Sequence, residues 1–145
     1  MVARRATPEM VAVAAPPEGF VPILSNSSFA WENGPIFEKA GPVPMRGFRV
    51  AERHINAGGV CHGGMMMTFA DILLAHAVMT VADPPFVTAR LTTDFIDAAR
   101  LGDWVEGEAE CGGEADGLVA VSAKITANGR LVASASALFK LLRRR

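Results

Sequence analysis

The residues of this 145-residue chain that could do chemistry cluster between His54 and Asp71. The run His54-Ile55-Asn56-Ala57-Gly58-Gly59-Val60-Cys61-His62-Gly63-Gly64 is a glycine-rich loop that delivers the backbone onto a long apolar segment. If that segment is a helix, its first N–H groups have no intrahelical acceptor and carry the positive end of the helix dipole. Gly63 and Gly64 present no side chain to an approaching ligand. A carbonyl oxygen could therefore sit against the Gly63 N–H and have its developing negative charge stabilised there. The blander alternative is that the glycines only permit a tight turn and close packing. Asp71 adds a second group. It is the one carboxylate in the apolar segment, and a buried carboxylate without a partner is costly. Such a group is either tied to a backbone or hydroxyl donor for structural reasons or used as an acid or base. The residues alone leave both open. His76, further along, reads as a core histidine satisfied by its neighbours.

Spacing limits what these groups can do together. Gly63 and Asp71 are eight positions apart, which on one helix is about 12 Å along the axis and roughly 80° around it. They cannot both touch one carbonyl carbon. If both act on one substrate, Asp71 must come from a second helix running antiparallel beside the first. A two-fold dimer supplies that helix with no second motif in the chain.

The elements that must hold these groups follow from the hydrophobic pattern. A helix is expected over Gly63–Ala82, which has no proline, is rich in helix formers and stops before Asp83-Pro84-Pro85. It is apolar all round, so it must be buried in protein or in lipid; Asp71 and His76 argue against lipid. Residues 1–19 are rich in Ala and Pro and read as a flexible N-terminal arm. Residues 20–51 are short apolar runs broken by Asn, Gly and Pro, consistent with short strands and turns that end in a strand over Gly47–Ala51. Four strands follow the helix, over Phe86–Ala98, Asp103–Cys111, Gly117–Thr126 and Leu131–Leu141. In the first, strict alternation puts Val87, Ala89, Leu91, Thr93 and Phe95 on one face; in the second, Glu106, Glu108 and Glu110 oppose Val105, Ala109 and Cys111. The last two flank Asn128-Gly129, a two-residue hairpin signal. Pairing outward from that turn sets Ile125 beside Val132, Ala123 beside Ser134 and Val121 beside Ser136, and neither face comes out polar. An antiparallel sheet with two greasy faces calls for another subunit. The expected fold is α+β, an antiparallel sheet of five or six strands wrapped around one long central helix, in a single domain over residues 20–145.

Composition excludes several function classes. Half of the residues are hydrophobic, a fifth are charged and the net charge is -1. That rules out a mainly disordered chain and gives no electrostatic footprint for nucleic acid or for an anionic membrane surface. Cys61 and Cys111 form no metal or disulfide pattern, and the three histidines are not at ligand spacing, so no metal is expected. Arg4, Arg5 and Ala12-Val13-Ala14 imitate an export signal, but Pro8 and Glu9 interrupt it and Met10–Ala15 is too short an apolar stretch. A cytoplasmic protein is expected.

Asn56-x-x-Gly59-x-x-His62-Gly63-Gly64, with Asp71 nine residues after His62, resembles the motif of the hotdog-fold thioesterases of the phenylacetyl-CoA (PaaI-like) group. The strand–helix–four-strand order is similar too, as are Phe95, Gly102 and Asp103, and the resemblance spans about residues 45–141. It implies hydrolysis of an acyl- or aryl-CoA thioester at a site between two protomers of a homo-oligomer, a dimer or a dimer of dimers. CoA would be part of the substrate, and no cofactor is implied. By the same resemblance Gly63 would polarise the carbonyl, Asn56 would position substrate or water, and His62 would organise the loop near the leaving sulfur. Asp71 of the partner would act as general base or nucleophile, assisted by a hydroxyl from Thr88. Arg90, Arg100 and the tail Arg143–Arg145 are the cations from which CoA phosphates could choose, and Met65, Met66 and Met67 either line an acyl tunnel or pack the core. The alternatives are a non-catalytic acyl-CoA-binding hotdog module, for which a retained Asp71 has no use, and a hotdog hydratase or dehydratase.

Overall fold

The apolar segment is a helix, and the rest of the chain is arranged to bury it. In the computed structural model, which describes residues 2–143, helix α3 spans Gly63–Val78 and is followed by single turns through Ala82. Two shorter helices precede it, α1 over Pro8–Ala14 and α2 over Ser28–Asn33. Seven strands, all antiparallel, form one sheet: β1 Phe20–Pro22, β2 Phe37–Lys39, β3 Met45–Arg49, β4 Phe86–Phe95, β5 Trp104–Ala115, β6 Leu118–Ala127 and β7 Arg130–Leu141. Their spatial order is β1-β2-β3-β5-β6-β7-β4. The strand count thus exceeds the five or six expected. The excess comes from β1 and β2, three-residue pieces in the region where short strands were expected but too short for alternation to place.

The sheet curls so that β3, β4, β5, β6 and β7 all contact α3. Phe69, Leu73, Leu74 and Val78 of the helix are fully buried against Phe48, Val105, Val119, Ile125 and Phe139. Each such large side chain contributes about 1.5–3 kcal/mol of hydrophobic stabilisation. Gly107 of β5 makes the fit possible: a Cβ there would stand 2.5 Å from Leu73 Cδ2. A smaller cluster on the opposite side of β3 and β5 sets Trp104 between Phe20 and Phe37, at ring separations of 5.0 and 5.7 Å. Over it lies α1, inside the segment expected to be a loose arm. Thr7 caps α1 by accepting from the Met10 amide, Pro8 opens it, and Arg49 donates to the carbonyls of Ala14 and Ala15 at its end.

Two β-bulges correct the face assignments drawn from alternation. In the β6–β7 hairpin, Ala127 pairs with Arg130 and Thr126 with Leu131, as the Asn128-Gly129 turn requires. Val132 is then extra, and from there Ile125 faces Ala133, Ala123 faces Ala135 and Val121 faces Ala137. The shift moves every later side chain of β7 across the sheet. The inner face becomes wholly apolar, while the outer face carries Ser122, Lys124, Ser134 and Ser136. That polar face removes the ground on which the hairpin called for a second subunit. In β4, Ala89 is extra: Thr88 pairs with Phe139 and Arg90 with Leu138. Thr88, Leu91, Thr93 and Phe95 therefore face the helix, and Val87 and Ala89 leave the face assigned to them.

Candidate active site

The loop before α3 is built by its own polar atoms. Asn56 Oδ1 accepts from the amides of Gly58 (2.9 Å) and Val60 (3.2 Å), while its backbone N–H donates to Val60 O and its carbonyl accepts from Gly59. The Gly59 turn needs φ of +82°, which suits glycine. The loop is closed at its base by the bonds from His62 N to His54 O (2.7 Å) and from Cys61 N to Ala99 O (2.8 Å). His62 is the N-cap of α3, and its Nδ1 accepts from the Gly64 amide at 2.8 Å. The Gly63 N–H, with no intrahelical acceptor, is left without a partner among the described residues. It borders a cavity of about 350 Å³ walled by Cys61, Met66, Phe95, Ile96 and Val132. The Phe95 ring lies over it, 3.4 Å from where a Gly63 Cβ would stand.

Two turns along α3, Asp71 is half-buried and accepts a 2.7 Å hydrogen bond from Thr88 Oγ1 to its Oδ1. The bulge at Ala89 is what turns Thr88 inward; in an unbroken strand it would share the outer face with Arg90, Thr92 and Asp94. The bond orients the carboxylate and leaves Oδ2 with no hydrogen-bond partner among the described residues. Burial in this chain is thus lighter than the sequence suggests, and the carboxylate is reachable from outside.

The structure therefore brings together the predicted residues in two sets. Asn56, His62 and Gly63 meet at the N-terminus of α3; Asp71 and Thr88 meet at its middle. The two sets lie on one continuous helix, so the eight-residue offset of about 12 Å holds within the chain. Met65 and Met66 are buried in the core, Met66 also reaching the cavity wall. Arg90, Arg100 and Arg143 are exposed, and Arg144 and Arg145 lie outside the described residues. Burial pushes the Cys61 thiol up to about 11, which leaves it an unreactive wall group. Among the described residues no three His, Cys, Asp or Glu side chains converge as metal ligands, and no helix is long and apolar enough to cross a membrane.

Sequence reasoning left three residues on or beside α3 without the place the structure gives them. Phe95 covers Gly63, which alternation could place on the right face but not over that glycine. His54, only 3% exposed, is the one polar or charged residue that is buried among the described residues, and its place two residues before Asn56 was a signal. Arg46 on β3 reaches under α3 to His76 and had no signal at all.

Comparison with known proteins gives a consistent picture. The family model of the Thioesterase superfamily matches residues 58–133, the stretch from the loop through α3 to the start of β7. A curated protein of Pseudomonas aeruginosa, "Putative esterase PA0474", is 37% identical over 129 residues, covering 86% of this chain and 96% of its own. Among solved structures, a mutant of the phenylacetic acid degradation protein PaaI from Thermus thermophilus superposes with a TM-score of 0.72 at 22% identity, over 80% of this chain and all of that one. A hypothetical thioesterase protein with coenzyme A from Streptococcus pneumoniae does so with a TM-score of 0.67 at 21% identity, over 76% and 90% of the two chains. Sheet, central helix and loop thus recur together, and the chain belongs to the Thioesterase superfamily as a hotdog-fold thioester hydrolase.

Proposed function

We propose that the protein hydrolyses an acyl- or aryl-CoA thioester to the free acid and CoA at a site shared by two protomers. The observation that carries the reading is the division of the chemistry along α3: an unpartnered N–H at Gly63 and a hydroxyl-oriented carboxylate at Asp71, about 12 Å apart. Neither suffices alone, and a two-fold axis beside the helix supplies each with its complement. β4 is the last strand of the sheet, and Val87 and Phe95 on it and Ile96 just beyond it are all about half accessible, so it offers a free strand edge with apolar ends for such a contact. The coenzyme A seen with the streptococcal structural neighbour supports the choice of thiol.

In this mechanism the thioester carbonyl oxygen accepts from the Gly63 N–H of one protomer, and the negative charge that develops on it is stabilised by the helix end. Asp71 of the other protomer either takes a proton from the attacking water or attacks the carbonyl carbon itself, with the acyl-aspartate then hydrolysed. Thr88 holds the carboxylate by its hydroxyl. The C–S bond breaks and the thiolate leaves without needing a strong acid. His62 keeps the helix end open by capping Gly64 rather than Gly63, and Asn56 holds the loop while its amide nitrogen is directed to substrate or water. A pure acyl-CoA-binding module would have no use for the oriented carboxylate.

Two substitutions test the shared site. Proline at position 63 is suited to the first helical position, removes the N–H and sets its ring in the space beside Phe95; His62, at φ -60° and ψ 135°, already has the backbone that precedes proline. Gly63→Pro and Asp71→Asn should each lower hydrolysis by about 100-fold or more in a screen of short, long and aromatic acyl-CoAs. Co-refolded in equal amounts, they should restore about a quarter of wild-type activity, because half of the dimers are mixed and each mixed dimer has one intact site of two. No restoration, with both variants folded, overturns the shared site.

A further inference from the structure

We infer that His54 is a positioning residue for hydrolysis, holding the Gly63 N–H in place through His62; the inference rests on the reading of Gly63 as the group that polarises the carbonyl. His54 ends a single 3₁₀ turn, Glu52–His54, between β3 and the glycine-rich loop. Its ring is fixed on both sides. Nδ1 accepts from the Ala51 amide at 2.9 Å, so Nδ1 carries no proton, and Nε2, 2.7 Å from the carbonyl oxygen of Asn33, must be the donor. The neutral Nε2–H tautomer is therefore the only one that satisfies both partners. Burial lowers the pKa of the ring, the bond to the Asn33 carbonyl opposes it, and the adjacent Arg53 lowers it slightly; the net direction keeps this form. The ring also stands edge-on to Phe48, at 5.3 Å, and Phe48 packs on Phe69 of α3.

From this anchor the connection to the site is short. The His54 carbonyl accepts from the His62 N–H at 2.7 Å, His62 is the N-cap of α3, and its Nδ1 holds the Gly64 amide. Gly63 lies between those two bonds. Its N–H has no acceptor of its own to fix its direction, so the direction is set by the His54–His62 and His62–Gly64 bonds on either side. Asn33 closes α2, outside the residues matched by the family model, so His54 also ties the N-terminal region to the catalytic loop.

The test uses two variants of the full chain. His54→Phe keeps the ring against Phe48 and removes both polar atoms; His54→Gln keeps a donor and an acceptor at the same spacing and cannot be protonated. The expected result for His54→Phe is a kcat about 10- to 100-fold lower with KM changed less than about threefold, as for a misplaced transition-state contact. Amide exchange at His62 and Gly64 should become faster while that of the β6–β7 ladder stays unchanged. His54→Gln should recover most of kcat. A His54→Phe enzyme that unfolds more readily but turns over at the wild-type rate when folded overturns the inference and leaves His54 a scaffold residue. So does failure of both variants to fold. Loss of all activity in wild type on every thioester tried would strike the functional reading instead, and the exchange measurement still decides whether His54 holds the helix end.

Discussion

The two flanks of α3 each carry a polar cluster, and they are built on opposite terms. On the β4 flank, Asp71 is half-buried, accepts one bond from Thr88 and has no partner on its other oxygen among the described residues. On the β3 flank, Arg46 is the more enclosed charge, with its side chain 11% exposed. It lies 3.7 Å from Glu38, places Nη2 at 3.3 Å from His76 Nδ1 and directs Nη1 toward Ile72 O. Its Nε is buried with no partner. A carboxylate left partly open can exchange protons with water and substrate; a guanidinium sealed among fixed partners can only hold elements together. Depth of burial separates the flank proposed to react from the one that ties elements together, and it does so in the reverse of the order that apolar surroundings in the sequence suggest.

The sharpest way to break this contrast is at Asp71. Asp71→Asn keeps the acceptor for Thr88, so its cost in stability should stay below about 1 kcal/mol. Its kcat should fall about 10²- to 10⁴-fold, the range of a lost general base. Steady-state hydrolysis and urea unfolding on one preparation check both numbers. An Asp71→Asn enzyme with undiminished kcat would move the chemistry away from this flank.

At Arg46 the pattern should invert. Arg46→Ala leaves a hole beneath α3 and unpairs Glu38 and His76, and is expected to cost about 1–3 kcal/mol. Glu38 is a third exposed and can turn to water, which keeps the cost from reaching that of a fully buried pair. Arg46→Met, filling the space without a buried, half-satisfied guanidinium, should cost less than Arg46→Ala. In both, kcat per folded molecule should stay within about twofold, since neither touches the reactive flank. A large drop in kcat at full folding would make Arg46 part of the site.

What could be read from the sequence divides along similar physical lines. Helix α3, the free Gly63 amide at its start and the Asn128-Gly129 turn are all local, fixed by residue types within a few positions of one another. The bulges at Ala89 and Val132 are not local. Each depends on which residue of the neighbouring strand it skips, and each reverses the faces read from alternation. Thr88 is the instructive case: the family resemblance pointed to it, but its alternation partners put it outside, and only the bulge reconciles the two. Arg46 left no mark because an arginine in a five-residue strand that also carries Arg49 looks like any solvated one. The short helices α1 and α2, seven and six residues long, are held by caps and by Arg49 rather than by periodicity.

A smaller effect is expected at Thr88. Thr88→Val keeps the β-branched shape on the bulge and removes the hydroxyl, so the strand should hold while the carboxylate loses its orienting bond. About a tenfold fall in kcat is expected, with KM nearly unchanged, and Thr88→Ser should recover most of it. If Thr88→Val matches wild type, Asp71 is held by something other than this bond, and the reactive flank is less preorganised than its geometry implies.

The smallest expected effect is a titration on the other flank. His76 has its pKa lowered from the ordinary 6.5, first by burial and then by the charge of Arg46, with Glu38 opposing. Because the folded-state pKa lies below the unfolded one, the unfolded chain takes up this proton first as the pH falls. The stability contributed by neutral His76 is thus fully present above about pH 6.5 and is lost as the pH drops through the folded value. Arg46→Met removes the second cause and leaves both the burial and Glu38. The His76 pKa should then rise toward its ordinary value, and the acid-side loss of stability should shrink. Proton NMR titration of the His76 ring in both proteins, with unfolding followed between pH 5 and 7, checks the sign. An unmoved His76 would mean that the guanidinium does not act on the imidazole it touches, and the β3 flank would have to be described by packing alone.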